Sequence, residues 1–152
     1  MTELITAPEP FLRWLRHSIP LAEAMQIDRL EFDGEQLELG APLAPNINDK
    51  GTCFGGSIAA LATLAGWCLT TLYLRRQGLD CDVVIADSHL SYSQPVTAAF
   101  SARVCLPEQG AREYLLKRIA ERGRGRLDLE VEVLCEERVV FRLQGRYVAI
   151  RR

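Results

Sequence analysis

Gly55 and Gly56 stand side by side, just ahead of Ser57 and inside a run with no charged residue between Lys50 and Arg75. If that run is a helix, the pair marks its N-terminus. There the first backbone N–H groups lack intrahelical partners and a partial positive charge gathers. Glycine lets a substrate carbonyl approach such donors with no side chain in the way. Donors so placed hold the oxyanion that forms when a carbonyl is attacked, and one of them is worth roughly 3 kcal/mol. The bland alternative is that Gly-Gly merely permits a tight loop-to-helix turn.

Attack on such a carbonyl also needs a water and a group to take its proton. Asp49 is the carboxylate closest in sequence to the helix start, and its neighbour Asn48 could orient the water or the carbonyl. Both could equally be loop residues bonded to nearby backbone. Asp87, His89 and Ser91 share one strand face by the two-residue period, a rival source of a base, although such a row is usually a solvated face. Cys53 precedes the helix, where the dipole would lower its thiol pKa, and His17 and His89 are the only imidazoles available to it. Ser57 reads as a first-turn hydroxyl, since no Gly-x-Ser-x-Gly elbow surrounds it. The glycine pair is no phosphate loop either, because the lysine is absent.

The elements that must position these residues follow from periodicity. Apolar side chains from Ile58 to Leu74 point all round the helix, which therefore needs enclosure on every side. Lipid could supply it, but the run is short for a span, rich in Ala and Thr, and broken by Gly66. The strands around it offer a better partner. Leu30 and Phe32, then Leu37, Leu39, Ala41 and Leu43, alternate with polar residues across an Asp33-Gly34 turn, and Pro42 and Pro45 end that segment. Extended segments recur at Val83 to Ser93 and at Phe100 to Leu106. A short helix over 111–122 ends at Gly123. Leu127 to Cys135 alternates most cleanly, and Val139, Phe141 and Leu143 repeat the pattern after a Glu136-Glu137-Arg138 connection. Residues 1–24 form an N-terminal helical segment with apolar Phe11, Trp14 and Leu15. The sheet's dry face and the greasy helix of residues 54–77 satisfy each other, giving an α+β fold in one domain over 1–152.

Composition narrows the function classes. A net charge of −2 offers no electrostatic case for nucleic acid. The five cysteines are odd in number and form no metal-binding spacing, so they read as reduced thiols of a cytoplasmic protein. The N-terminus has no secretory signal pattern.

The junction itself is more specific. Asn48-Asp49-Lys50-Gly51-Thr52-Cys53-Phe54-Gly55-Gly56 resembles the Asn-x-x-Gly-x-x-His-Gly-Gly motif of hot-dog acyl-CoA thioesterases, with Phe54 in the histidine's place. Tyr92-Ser93-Gln94-Pro95 resembles the aromatic-x-x-Pro strand ending of that superfamily. Asn46 to Ser57 is most similar to a thioesterase family that also occurs as the C-terminal domain of YiiD-type acetyltransferases, here without an acetyltransferase domain. The resemblance spans roughly Phe11 to Ile150. It implies the hot-dog fold, a curled antiparallel sheet wrapped around a long central helix, in a homodimer or dimer of dimers with sites between subunits. It also implies an acyl thioester hydrolase acting on coenzyme A or acyl carrier protein thioesters, with no metal and no cofactor beyond the coenzyme A of the substrate. In better-studied members an acid lies nine positions after the histidine; that position here is Thr63.

The expected assignment is therefore Gly55 and Gly56 as oxyanion donors, Asn48 as positioning group and Asp49 as base. Phe54, Ser57, Thr63 and Tyr92 would line the substrate's path. Arg122, Arg124 and Arg126, with Lys117 and Arg118 near them, would meet coenzyme A phosphates or the acidic face of a carrier protein, or else form a solvated cationic corner. The missing acid keeps two rivals in view, a non-catalytic acyl-thioester binder and a hot-dog dehydratase.

Overall fold

The computed structural model describes residues 3–152. Two short helices come first, α1 (Pro8–Ser18) and α2 (Pro20–Ala24), each with proline in its opening turn, where the missing N–H costs nothing. Strands β1 (Arg29–Phe32) and β2 (Gln36–Ala41) follow, joined by a turn in which the Asp33 carboxylate accepts from the Glu35 and Gln36 N–H groups and Gly34 takes a positive φ. The long helix α3 (Gly55–Arg76) comes next, and Gly78 closes it in the left-handed region. Then come β3 (Cys81–Tyr92), β4 (Phe100–Cys105), helix α4 (Gln109–Arg122), β5 (Arg124–Cys135) and β6 (Arg138–Arg151). Gly123 stops α4 at a φ of 73°.

All strands join one antiparallel sheet in the order β1-β2-β4-β5-β6-β3. Its inward residues, among them Leu37, Leu39, Ala102, Val104, Leu129, Val131, Val133, Phe141 and Leu143, are buried against α3. The sheet wraps the helix: α3 touches β2, β3, β4, β5 and β6. This helix is long and apolar enough to cross a membrane, yet two thirds of its most apolar window lies inside the protein. The curled sheet around a central helix is the architecture the sequence implies.

Enclosure is not complete, and here the structure corrects the all-round expectation. Most of α3 from Ile58 to Leu74 is buried, but Ala59, Ala60, Thr63 and Trp67 are only half-buried, and Gly56 is exposed. These residues recur at three- and four-residue steps, so they form one stripe. The stripe faces β3, the edge strand, whose residues 86–92 are exposed on both faces and whose outer edge pairs with no strand among the described residues.

Three contacts fix the helix axis. The Tyr147 hydroxyl, fully buried on β6, donates to the Thr63 carbonyl at 2.8 Å and rests on Gly66, where any Cβ would collide with the ring. The Trp67 indole donates to the Val83 carbonyl of β3 at 2.7 Å and stacks on Trp14 of α1 at 5.9 Å. At the far end Arg75 lies over the Phe11 and Trp14 rings and donates to the Ile5 carbonyl. Gly66→Ala should therefore destabilise the protein by about 1–3 kcal/mol through overpacking against Tyr147. Urea unfolding read by circular dichroism checks this; an unchanged midpoint would refute the close fit.

Candidate functional site at the start of the central helix

Residues 46–54 lead into α3 as a small hairpin. Ile47 and Cys53 pair across it, and the Asn48 N–H donates to the Thr52 carbonyl at 2.7 Å. The Asn48 side chain organises the turn from within. Its Oδ1 accepts from the N–H groups of Lys50 and Thr52, and its Nδ2 donates to the Thr52 hydroxyl and the Cys53 carbonyl. A buried Asn46 ties the base of the hairpin down, donating to the carbonyls of Met25 and Pro42 while its own carbonyl receives the Phe54 N–H. The Cys53 N–H reaches the Val96 carbonyl at 2.8 Å. The loop is thus fixed at both feet.

The helix then begins without a side-chain cap. Phe54 occupies the cap position in an extended conformation, and its phenyl ring offers no acceptor. Its carbonyl takes the N–H groups of Ser57 and Ile58, whereas those of Gly55 and Gly56 have no hydrogen-bond partner among the described residues. A Ser, Thr, Asp or Asn cap typically stabilises a helix by about 1 kcal/mol relative to Ala. That cap is forgone here, and two aligned donors stay open at the positive end of a 22-residue helix.

Both donors are within reach of solvent, since Gly55 is half-buried and Gly56 exposed. Aromatic side chains frame them. Phe54, 57% exposed, lies over Gly56, and a Cβ there would strike its ring. Tyr92, at the end of β3 and 54% exposed, donates its hydroxyl to the Gly55 carbonyl at 3.0 Å and packs edge-on to Phe141. The stripe of Ala59, Ala60 and Thr63 runs away from this mouth beside the inward-facing Ser88 and Leu90 of β3, until the Trp67–Val83 hydrogen bond closes the gap. Gly55, Gly56, Phe54, Ser57, Thr63 and Tyr92 thus lie along one mouth and one trough. The trough was not legible as a signal beforehand, because Ala59 and Ala60 look like core.

Other candidates are placed elsewhere. Asp49 sits at the hairpin tip with its side chain 81% exposed, paired with Lys50 at 2.9 Å. Its one hydrogen-bond partner among the described residues is Lys50, so nothing in the fold ties this carboxylate to its own glycine pair. Asp87, His89 and Ser91 do share a face, but it is the outer one, opposite Arg146, Gln144 and Arg142 of β6 and away from α3. Arg122, Arg124 and Arg126 stand where α4 enters β5, with Arg126 opposite Val148. Tyr92 pairs with Phe141 of the same strand β6, so about 25 Å of sheet separates the arginines from the helix start. Within one chain they are not part of the mouth. Among the described residues no three His, Cys, Asp or Glu side chains gather as metal ligands would.

Cys53 lies beside the site, but burial pushes its thiol pKa up to about 11, with a smaller push from Cys135. Desolvation disfavours the thiolate. Cys68, fully buried in α3, is raised further by the same cause. All five thiols are free, and Cys105 alone is exposed.

A family model described as "Putative thioesterase (yiiD_Cterm)" matches residues 10–151. Among solved structures, a putative thioesterase from Shewanella oneidensis is 37% identical, with a TM-score of 0.82 over 93% of this chain and 96% of that one. A protein of unknown function from Chlorobaculum tepidum is 25% identical, with a TM-score of 0.88 over 97% and 98% of the two chains. A Haemophilus influenzae thioesterase shares the fold at 18% identity, with a TM-score of 0.75 over 98% and 94%.

With its pKa near 11, the Cys53 thiol stays protonated at neutral pH, and its reactivity should rise only as pH climbs toward that value. Iodoacetamide near neutral pH should therefore alkylate Cys105 and spare Cys53, as read by peptide mass spectrometry. Rapid labelling of Cys53 would restore it as a nucleophile.

Proposed function

The chain belongs to the YiiD C-terminal thioesterase family, and from that membership we propose that it hydrolyses acyl thioesters carried on coenzyme A or on an acyl carrier protein. The observation that carries the reading is the uncapped start of α3, with two open N–H donors at a mouth that water and substrate can reach. In the proposed step the thioester carbonyl oxygen accepts from the Gly55 and Gly56 N–H groups. A water attacks the carbonyl carbon and passes its proton to the Asp49 carboxylate. The tetrahedral oxyanion then collapses, the carbon–sulfur bond breaks, and the departing thiolate takes that proton. The acyl chain lies in the trough beside Thr63 and Tyr92, with Phe54 and Ser57 at its mouth. Asn48 acts as a positioning residue that holds the hairpin.

Asp49 lies exposed at the hairpin tip and pairs only with Lys50 among the described residues, which favours service to the mouth of a second copy. The free edge of β3 supports the same reading. It presents unpaired backbone groups beside exposed Val84, Leu90 and Tyr92, the kind of edge that pairs with another strand. A homodimer joined along β3 would cover the trough, and a dimer of dimers would use other surfaces. A second reading, a thioester-binding protein without turnover, is favoured by one observation: among the described residues no carboxylate or imidazole bonds to the groups of its own mouth. A dehydratase is disfavoured because His89 faces outward.

Release of free thiol from a panel of acyl-CoAs tests the reading. Gly55→Pro removes one donor at the first helical position, where proline is tolerated, and Phe54 already has a conformation that suits a following proline (φ −62°, ψ 130°). It should lower kcat by about a hundredfold or more, at some cost in stability because its Cβ would press on the Tyr92 ring at 3.3 Å. Asp49→Asn should lower kcat by about a hundredfold or more at similar KM. Wild-type rates in the asparagine variant would remove Asp49 from the mechanism. Saturable binding without thiol release would select the binder.

A further inference from the structure

Seven lysine and arginine side chains make no ion pair and no hydrogen bond among the described residues. One, Arg138, sits on the β5–β6 turn. The other six, Lys117, Arg118, Arg122, Arg124, Arg126 and Arg151, share one corner. The last turn of α4 passes through Gly123 straight into β5, and the Gly123 carbonyl accepts the Arg151 N–H at 2.8 Å. Arg124 lies opposite Ile150, and α4 rests on Gly125 through Leu115 and Arg118. Of the nearby acids, Asp80 and Asp82 are engaged by Arg152 and Asp128 by Arg146, and Glu121 on the last turn of α4 offsets one of the six charges at most. A chain of net charge −2 has therefore gathered most of its free positive charge at one place.

We propose that this corner docks an acidic acyl carrier protein, which would make the carrier-bound thioester the preferred substrate; the inference rests on the thioesterase reading. Coenzyme A and carrier proteins present the same phosphopantetheine arm, and they differ in what lies behind it. A nucleotide's phosphates call for a compact clamp, with guanidinium groups held in place by neighbouring acceptors. None of these six is so held, and five are exposed. They spread over a helix end and two strands, which makes a broad field suited to steering and seating an acidic protein face. Placement agrees as well. Antiparallel pairing of two β3 edges about the irregularity between Ile85 and Asp87 sets Tyr92 of one copy against the start of β3 in the other. The other copy's corner then begins about 10 Å to the side of that mouth at Arg151 on β6, two strand spacings away, and continues to about 14 Å at Arg124 on β5.

The test compares octanoyl-CoA with octanoyl acyl carrier protein as substrates. It uses the wild type and a triple variant, Lys117→Glu, Arg126→Glu and Arg151→Glu. Binding of the unacylated holo carrier is measured separately by calorimetry. Charge reversal, or high salt, should cut kcat/KM for the carrier substrate about tenfold or more and weaken holo-carrier binding in step. The octanoyl-CoA rate should stay unchanged. The milder pair Arg126→Gln and Arg151→Gln should show the same trend if the triple variant folds poorly. Equal losses on both substrates would make the corner a coenzyme A phosphate site and overturn the proposal. No effect on either, or tighter binding of a short RNA than of the carrier, would overturn it too. Hydrolysis of octanoyl-CoA without carrier binding defeats the docking and leaves the thioesterase reading standing. Carrier binding lost on charge reversal, with no thiol released from any substrate, supports the docking and defeats the hydrolase alone.

Discussion

A helix with apolar side chains on every side cannot rest on a surface; it must be wrapped, and the rest of this chain is arranged to wrap it. Each Leu, Ile or Val that α3 buries contributes about 1.5–3 kcal/mol relative to exposure, and the residues from Leu61 to Leu74 include several at or near zero exposure. A flat sheet would cover one side only. Five strands reach α3 because the antiparallel sheet curls, and α1 folds over the last part with Phe11 and Trp14 against Trp67. The helix direction is then set, and so is the position of its two ends. One is stapled by Arg75 and Arg76 to the carbonyls of Ile5 and Thr6. The other comes out at the rim beside Tyr92.

What makes that rim chemically interesting is an omission. Helices usually satisfy their first N–H groups with a capping side chain, and this one starts from a phenylalanine that cannot accept a hydrogen bond. The neighbouring loop does not lack polar partners, since Asn46 and Asn48 together bond six backbone or hydroxyl groups. That bonding goes into the hairpin and its anchorage to Met25 and Pro42, and none reaches Gly55 or Gly56. Rigid loop and bare helix end form one device. The first holds the approach fixed, and the second leaves two aligned donors with only a substrate or solvent to meet.

Much of this is legible in the sequence, and the limits are physical. Alternation from Leu127 to Cys135 fixes a strand with one dry face, and the glycines at 34, 78 and 123 mark turns because all three adopt positive φ. The Gly55-Gly56 junction is legible because its residue types break helix-start preference. The half-open stripe is not. Ala59, Ala60 and Thr63 have the composition of core, and only the fact that β3 is the edge strand leaves them uncovered. Arg122 and Arg124 look close to the site when chemistry alone is weighed, yet strand order puts them at the opposite end of the sheet. Asp49 is close to Gly55 in sequence, yet it sits at an exposed hairpin tip and bonds only Lys50 among the described residues.

Two unmet requirements fall along one line. From residue 86 to Tyr92, β3 has an unpaired edge and no cover on either face, and the α3 stripe beside it is short of apolar neighbours. An edge strand left like this is prone to pair with whatever strand it meets, and natural edges are usually blunted by bulges, charges or proline. β3 has its irregularity between Ile85 and Asp87 and reaches Pro95 only after the strand has ended, so the stretch between stays open. A second copy offers the same edge in the reverse direction, and antiparallel pairing about a twofold axis would meet both requirements at once. It would also put a roof on the trough whose floor α3 provides. In the homodimer proposed above, the chain by itself would be half of a binding site, which would account for a mouth with two open donors and no base bonded to it among the described residues.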